Sequence, residues 1–351
     1  MQTRQLGPFQ VSAIGLGCMN ICHAYGAPVP EAQAERLLLA ALDAGVTHLD
    51  TAALYGFGAS ETLIGKYLAK HRSRFTLASK CGMQGVDANG DGNKVRVIDG
   101  RPATLKATCD AALRRLQTDV IDLYYLHRWD RQVPIEESVG ALADLVRAGK
   151  IRAIGLSEVS AATLRKAHRE HPIAALQTEY SLWTRNPEIA VLDACQELGI
   201  SFVAFSPVGR GFLTGTPPDV SALDAKDIRR AMPRFFPSNY PHNLALLPAY
   251  NAIAADLGCT PAQLAIAWLL HRGQHILPIP GTASVKHLQE NMAAANLKIS
   301  DEAMGKLNAC IHSSNVVGAR YNPQGTNEVD TETFAAPPAA PQPSAAQFPA
   351  K

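Results

Sequence analysis

The sequence lacks the features that would mark a membrane, secreted or nucleic-acid-binding protein. No apolar run approaches the roughly 20 residues that a membrane-spanning helix needs, and the first residues contain no signal-peptide core. Neither sign of charge dominates, since 33 basic and 31 acidic residues give a formal net charge of +2. A balanced, dispersed charge argues against nucleic acid or an acidic membrane as a partner. We therefore expect a soluble, cytoplasmic protein that binds neither.

Cysteine pairs with the spacing of metal sites or disulfide frameworks are also missing. The seven cysteines are an odd number, scattered along the chain without a CxxC motif. Such usage is typical of reduced thiols. His168 and His171 have no third ligand beside them and are better interpreted as surface residues than as a metal pair. The sequence predicts neither disulfide bonds nor a metal site.

Short apolar runs alternate with longer amphipathic segments from one end of the chain to the other. This alternation predicts parallel strands joined by crossover helices. Eight such units fit one (β/α)8 barrel, a TIM barrel, which commonly takes about 250 residues or more. The predicted strands are 13–17, 47–50, 75–80, 120–127, 151–157, 174–179, 201–206 and 275–280. The predicted helices are 31–45, 60–71, 103–117, 135–149, 160–170, 187–199, 244–258, 261–272 and 284–295.

Three segments interrupt this rhythm: 82–101, 207–243 and everything after about residue 313. Long loops in a compact fold are usually lids or binding loops, and we expect that role for the first two. The end of the chain is rich in Ala and Pro and has too little bulky apolar content to offset the entropy of ordering. We predict a barrel domain over 1–318, closed at its floor by an N-terminal hairpin, and a disordered low-complexity tail over 319–351.

Ionisable side chains stand at the carboxyl ends of three adjacent predicted strands, where barrel enzymes place their working groups. Asp50 ends the second strand, Tyr55 follows it in the loop, Lys80 ends the third strand and His127 ends the fourth. A tyrosine with an ordinary pKa of about 10 is a useful acid for a carbonyl oxygen when a neighbouring cation lowers that pKa. Lys80 is the candidate cation, Asp50 would hold its ammonium, and His127 would orient the substrate oxygen.

Each of the four residues also has an ordinary structural explanation. Asp50 could cap a helix, Tyr55 could be a loop aromatic, Lys80 a surface charge and His127 a satisfied core histidine. Together they favour chemistry, because a purely structural sequence gains nothing from charges at the ends of apolar strands. The opening of a GxGxxG loop at 15–20 lacks its last glycine, so a dinucleotide site of the Rossmann type is not predicted.

Seven motifs resemble the successive signatures of the aldo-keto reductase superfamily over residues 4 to 311: HLDTAALYG, LASKCG, DLYYLHRWD, IRAIGLSEVS, LQTEYSLW, FSPVGRGFLTG and ILPIPGTASVKHLQENMAAANLKIS. The resemblance implies a (β/α)8 barrel and an NADP-dependent oxidoreductase. Such an enzyme reduces aldehydes or ketones to alcohols by direct hydride transfer without a metal. The catalytic tetrad falls on Asp50, Tyr55, Lys80 and His127, with Tyr55 as the proton donor.

The same resemblance implies the residues that hold the cofactor. Ser157 and Gln177 correspond to positions that bind the nicotinamide carboxamide, and Glu158 stands beside them where many members have Asn. Phe205 takes the ring-stacking position. The other contacts around the nicotinamide and pyrophosphate are Met19, Asp50, Ser206, Pro207, Val208, Gly209, Arg210, Gly211 and Leu213. Those at the adenosine end are Gly281, Thr282, Ala283, Lys286, His287, Glu290 and Asn291.

The charge available to the 2′-phosphate bears on the choice between NADPH and NADH. By resemblance, members that bind this phosphate tightly often have Lys and Arg at the positions of Gly281 and His287. Compensating charge would come from the following residues: Lys286, Arg210, Lys226, Arg229 and Arg230. NADPH is the favoured cofactor, and NADH is the alternative.

The substrate is expected to lie over the nicotinamide, between loops that follow several strands. Aromatic, apolar and amide side chains there suit bulky, moderately polar carbonyl compounds or secondary alcohols better than small acids. The candidate substrate residues are Asn20, Tyr25 and Trp129, with Met19, His23, Leu54, Phe57 and Phe235 as further wall residues.

Two other functions stay open at this point. One is NAD-dependent oxidation of an alcohol, which the weak 2′-phosphate site allows. The other is a non-enzymatic, cofactor-sensing subunit, since a channel-associated branch shares the fold. That branch has Asn at the position of His127 and Lys at the position of Thr216, which argues against this reading. The physiological substrate, the reaction direction and the oligomeric state are not predicted.

Overall fold

Strands and helices alternate along the chain, as the sequence pattern predicts. The structure is a computed structural model that describes residues 2–22, 24–87, 90 and 92–334. Its strands are β1 Thr3–Leu6, β2 Phe9–Ser12, β3 Leu16–Gly17, β4 His48–Asp50, β5 Thr76–Cys81, β6 Met83–Val86, β7 Val95–Ile98, β8 Ile121–Leu126, β9 Ile151–Ser157, β10 Ile173–Glu179, β11 Ser201–Phe205 and β12 Ile276–Pro278. Its α-helices are α1 Glu31–Asp43, α2 Ala59–Leu68, α3 Pro102–Leu116, α4 Ile135–Arg147, α5 Ala161–Glu170, α6 Val191–Leu198, α7 Tyr240–Leu244, α8 Leu247–Asp256, α9 Pro261–Arg272, α10 Val285–Ala293, α11 Asp301–Cys310 and α12 Pro323–Asn327.

Eight of the strands form one parallel sheet that closes into a barrel. Their order is β3-β4-β5-β8-β9-β10-β11-β12, and every neighbouring pair is parallel. Beyond β12, Gly281 forms a parallel bridge back to Gly17 at the end of β3. The amide of Gly15 also donates to the carbonyl of Pro278 at 3.0 Å. These contacts join the first and last strands, so the predicted (β/α)8 barrel is confirmed.

The barrel strands are buried on both faces, which explains why they read as nearly continuous apolar runs. Their outer faces pack against the helices in one large core. The antiparallel hairpin of β1 and β2 covers the amino ends of the strands, as predicted. The side chains that join this hairpin to the barrel interior are Leu6, Val11, Ala78, Leu123, Tyr125, Val203 and Leu277. The carboxyl ends of the strands therefore carry the site.

Several elements were not predicted from the sequence, among them the short helices α7 and α12. The segment 82–101 contains the antiparallel hairpin of β6 and β7, which its Gly, Asp and Asn content concealed. Helix α11 follows the last predicted helix, and Ser300 caps it by accepting a hydrogen bond from the amide of Ala303 at 3.2 Å. This Ser300 followed by two acidic residues is a helix-start signal that sequence reasoning could have used.

The segment 319–334 packs against the carboxyl end of the barrel, contrary to the disorder predicted from residue 319 onward. The side chain of Arg320 is 10% exposed and pairs with Glu158 through two hydrogen bonds of 2.7 and 2.5 Å. Asp330 accepts from the amide and the hydroxyl of Ser160, at the start of α5, at 3.1 and 2.9 Å. Such polar anchors order a segment that has little apolar content. The remainder of the predicted tail, 335–351, lies outside the described residues.

No helix among the described residues is by itself long and apolar enough to cross a membrane. Helices Tyr240–Asp256 and Pro261–Arg272 meet the length and composition requirement when taken together, with a bend of 82° between them.

Candidate active site

The four ionisable residues predicted at the strand ends lie together at the carboxyl end of the barrel. Asp50 is the last residue of β4, Lys80 lies in β5, and His127 directly follows β8. Tyr55 begins a short 3-10 turn after β4. Each of the four side chains belongs to a residue that is at most 9% exposed. The barrel thus collects into one cluster residues that are far apart in the sequence.

Lys80 is the centre of this cluster. Its ammonium forms an ion pair with Asp50 and donates to the carbonyl of Thr51 at 2.9 Å and to the hydroxyl of Tyr55 at 3.3 Å. Burial lowers the pKa of Lys80, but Asp50 and Tyr55 outweigh it, so the pKa lies above its ordinary value. Asp50 also accepts from the side-chain amide of Gln177 at 2.6 Å. Lys80 is therefore held as a fixed cation beside the phenol.

The pKa of Tyr55 differs from the sequence prediction. Burial raises this pKa above its ordinary value of 10.0, and the opposing charge of Lys80 does not cancel the effect. The predicted net lowering is therefore wrong, because it considered the cation without the desolvation of the phenol. The hydroxyl is therefore protonated at neutral pH. The imidazole of His127 lies edge-on to the phenol, with ring centroids 5.8 Å apart and planes at 84°.

A cavity of about 540 Å³ adjoins the cluster, and Asp50, Tyr55 and His127 line part of its wall. Most of the residues predicted to contact nicotinamide and pyrophosphate also line it: Met19, Ser157, Gln177, Phe205, Ser206, Pro207, Val208, Arg210 and Gly211. Gly281, predicted at the adenosine end, lines it as well. Three of the predicted substrate residues do so as well: Asn20, Tyr25 and Leu54. Residues predicted to bind the cofactor and residues predicted to bind the substrate therefore line the same cavity.

Glu158 does not contribute to this cavity, and the structure contradicts its predicted contact with the carboxamide. The residue follows β9 with a φ of +57°, a left-handed conformation that few side chains adopt. Its carboxylate is buried and pairs with Arg320, while one carboxylate oxygen accepts from the amide of Glu179 at 3.0 Å. Glu158 therefore anchors the C-terminal segment in this chain.

Several other predicted site residues also lie outside the cavity wall. The indole of Trp129 donates to the carbonyl of Val133 at 2.9 Å, which corrects its predicted place against the substrate. Leu213 is fully buried in the core, and Gly209 belongs to the same turn without lining the cavity. Phe57 is 37% exposed, and Phe235 packs against Trp183. His23 lies outside the described residues.

Apart from Gly281, the residues predicted at the adenosine end do not line this cavity. Lys286 and His287 are exposed in the first turn of α10, whereas Thr282 and Asn291 are buried. The carbonyl of Ala283 accepts from the side chain of Gln33 at 2.7 Å, and Glu290 is half-buried. These residues therefore lie along α10 and just before it, and only Lys286 and His287 are exposed at the N-terminal end of the helix.

The C-terminal segment supplies a wall of the cavity that sequence reasoning missed. The residues that line the cavity from this segment are Tyr321, Asn322, Gln324 and Gly325. Arg96 of β7 and Arg128 also line it. A sequence signal was present for both regions. The run from Arg320 to Glu332 is polar rather than low in complexity, and Arg128 directly follows His127.

A buried charge cluster connects this wall to the barrel. Arg210 pairs with Glu179 at 2.6 Å, and Arg320 lies 3.9 Å from the same carboxylate in addition to its pair with Glu158. Burial raises the pKa of Glu179, but Arg210 and Arg320 lower it further, so the net shift is downward. The Arg210 guanidinium lies 5.7 Å from the ring of Tyr321. The cavity-lining arginine is thus held by a carboxylate and an aromatic face.

The residues around the cavity fit a nicotinamide cofactor. Ser157 and Gln177 present polar groups beside the Tyr55 cluster, and Phe205 adds an aromatic face. Gly281 packs directly against Asn20, because a Cβ atom at this position would come within 2.3 Å of the Asn20 side-chain oxygen, so only glycine fits here. A planar amide ring and a phosphate chain both need such close approach to polar groups and backbone.

The chain resembles known proteins both in sequence and in structure. The model of the aldo/keto reductase family matches residues 13–312. The glycerol dehydrogenase AKR11B4 from Gluconobacter oxydans is 27% identical, with 95% of this chain and 99% of that chain covered and a TM-score of 0.81. The aldo-keto reductase AKR11C1 from Bacillus halodurans, in its holo form, is 27% identical, with coverages of 92% and 99% and a TM-score of 0.75. The thermostable aldo-keto reductase Tm1743, in complex with the inhibitor epalrestat, is 29% identical, with coverages of 88% and 100% and a TM-score of 0.69.

Proposed function

This chain belongs to the aldo/keto reductase family, and from that membership we propose that it reduces aldehydes and ketones to alcohols with NADPH. Family and fold already indicate an oxidoreductase that acts on small carbonyl or alcohol compounds with a nicotinamide cofactor. The observation that carries the finer proposal is the hydroxyl of Tyr55, 3.3 Å from the Lys80 ammonium and facing the cavity that Ser157 and Gln177 also line.

The cofactor, when bound, supplies the hydride that reduces the carbonyl carbon. Tyr55 donates its proton to the carbonyl oxygen, so the phenol O–H bond breaks as the alcohol O–H bond forms. The Lys80 ammonium stabilises the resulting phenolate, and Asp50 keeps that ammonium in place. His127 lies across the phenol ring, where its imidazole can orient the carbonyl oxygen. Burial of all these groups strengthens each interaction, because little water competes for them.

The cofactor would be held by residues on both sides of the cavity. Ser157 and Gln177 bind the carboxamide, and Phe205 stacks on the ring. The turn from Ser206 to Gly211 and the backbone of Gly281 would hold the pyrophosphate. The first turn of α10 would hold the phosphate of the adenosine end, because the helix dipole favours an anion there.

Reduction by NADPH is tested by binding followed by turnover. We would titrate the protein with NADPH and with NADH, following tryptophan fluorescence, and then add a panel of aldehydes, quinones, keto-steroids and keto-sugars. We expect tighter binding of NADPH and its oxidation by at least one carbonyl compound. Binding of neither NADPH nor NADH would overturn the proposal. Binding without turnover across the panel would favour a cofactor-sensing subunit.

Lys286 is the residue that we expect to select NADPH. Arg210 and Arg229, two other candidates for the 2′-phosphate, already pair with Glu179 and Asp227 at 2.6 Å each. Lys286 is exposed at the start of α10. A Lys286→Met change should weaken NADPH binding about tenfold, as the loss of one charge-assisted hydrogen bond would.

The matched control is Lys298→Met, which removes an exposed lysine between α10 and α11. We expect NADH binding to be unchanged in both variants and NADPH binding to be unchanged in the control. If Lys286→Met weakens the binding of NADPH and NADH equally, this lysine does not recognise the 2′-phosphate.

Oxidation of an alcohol is a second candidate, favoured by the similarity to a glycerol dehydrogenase. The same groups would act in reverse, with Tyr55 accepting the proton of the alcohol. Initial rates with glycerol and NADP⁺ or NAD⁺, compared with rates for dihydroxyacetone and the reduced cofactors at the same pH, separate the two directions. Measurable oxidation together with negligible reduction would replace the first proposal with the second.

A further inference from the structure

Arg128 places a guanidinium at the wall of the cavity, next to the candidate proton donor. It follows His127 at the end of β8, is half-buried and lines the cavity. Its Nη1 atom donates to the carbonyl of His127 at 2.7 Å and to the hydroxyl of Ser157 at 3.2 Å. These two bonds fix the plane of the guanidinium beside the Tyr55 cluster.

The other arginines that line the cavity are each neutralised by a carboxylate. Arg210 pairs with Glu179, Arg229 with Asp227, and Arg96 with Glu328. Among the described residues Arg128 has no carboxylate within ion-pair distance, and its hydrogen bonds go to two neutral oxygens through one nitrogen. Its remaining donors are therefore available to a molecule in the cavity.

A half-buried charge without a counter-charge is costly, so a site that retains one commonly receives an anion from a ligand. The planar guanidinium matches a carboxylate through two parallel hydrogen bonds. We infer that Arg128 binds a carboxylate on the substrate, and that this enzyme prefers aldehydes or ketones that also carry a carboxylate. The inference rests on the proposed carbonyl reduction and names its substrate class.

The electrostatics of the neighbouring phenol agree with this geometry. Burial raises the pKa of Tyr55, while Lys80, and to a smaller extent Arg128, act to lower it. The Arg128 charge is thus close enough to act on the proton donor. A bound carboxylate would neutralise that charge and favour the protonated phenol, which is the form that donates a proton.

Matched aldehydes with and without a carboxylate test the inference. We would measure kcat/KM with NADPH for 3- and 4-formylbenzoate and for the methyl ester of each, in the wild type and in Arg128→Met and Arg128→Lys. The wild type should prefer an acid over its ester. Arg128→Met should lower kcat/KM for that acid about 10- to 100-fold and change the ester little, as loss of hydrogen bonds to a charged group would. Arg128→Lys should recover part of the preference for the acid, because lysine restores the positive charge but not the planar guanidinium.

A control and a binding measurement separate Arg128 from general effects at the cavity. Arg96→Met removes another cavity arginine that already has its carboxylate partner, and the ratio of acid to ester should stay as in the wild type. Calorimetric titration should show that benzoate binds the wild type more tightly than benzamide does, with the difference lost in Arg128→Met. This second readout does not depend on turnover.

The possible failures are distinguishable. A wild type that reduces the esters without preferring either acid overturns the inference and leaves the proposed function intact. A variant whose NADPH affinity falls while its acid-to-ester ratio is unchanged assigns Arg128 to the cofactor and also overturns it. A wild type that binds NADPH but reduces neither acids nor esters, nor any member of the carbonyl panel, overturns the proposed function itself.

Discussion

Replacing Tyr55 by Phe should lower the rate of carbonyl reduction by about 100- to 10,000-fold, the usual contribution of a positioned general acid. The change removes one hydroxyl, the group 3.3 Å from the Lys80 ammonium, and keeps the ring that packs against His127. Cofactor affinity should therefore persist while kcat falls. Single-turnover kinetics under saturating NADPH measure the chemical step, and fluorescence titration measures the affinity.

Tyr124→Phe is the matched control for this experiment. Tyr124 lies in β8, fully buried and outside the cavity wall, so the change also removes one buried phenol hydroxyl. We expect its rate to match the wild type. Unaltered turnover in Tyr55→Phe would overturn the assignment of the proton donor, whereas equal losses in both variants would indicate a structural effect of removing any buried hydroxyl.

The Tyr55 cluster was predictable from sequence because each of its members ends a buried strand or lies just beyond one. Parallel strands buried on both faces leave apolar runs that can be counted, and their carboxyl ends meet at one end of a barrel. Asp50, Lys80 and His127 stand at such ends, so their proximity follows from the topology alone. The sign of the Tyr55 pKa shift does not follow, because it depends on how much water reaches the phenol.

The role of Glu158 was not predictable because its partner is 162 residues away. A residue at the end of a strand was expected to point toward the cofactor. Its φ of +57° instead directs the side chain to Arg320, and no local pattern in the sequence specifies a left-handed backbone at a glutamate. The ordering of segment 319–334 escaped prediction for the same reason, since composition reports apolar content and not the location of a buried ion pair.

That ion pair carries the second large expected effect. Arg320→Met leaves the Glu158 carboxylate buried without its cation, and loss of one partner of a buried pair costs about 3–5 kcal/mol. Detachment of the segment from the barrel is the least costly way to relieve this unpaired charge, because water then reaches the Glu158 carboxylate. Since about 1.4 kcal/mol corresponds to a factor of ten, opening of the segment should increase at least about 100-fold. Hydrogen exchange measured by mass spectrometry should show this increase in peptides from 319–334.

Two further variants show whether the buried charge is the cause. Arg96→Met breaks a partly exposed pair between the β7 strand and Glu328 of the same segment, and such pairs are worth about 0–1 kcal/mol, so its exchange should change little. Combining Arg320→Met with Glu158→Gln removes the unpaired buried charge and should restore much of the protection against hydrogen exchange. Wild-type exchange in Arg320→Met would mean that Asp330, through its bonds to Ser160 and Thr163, is sufficient to hold the segment. The Tyr321 wall of the cavity would then be independent of the Glu158 pair.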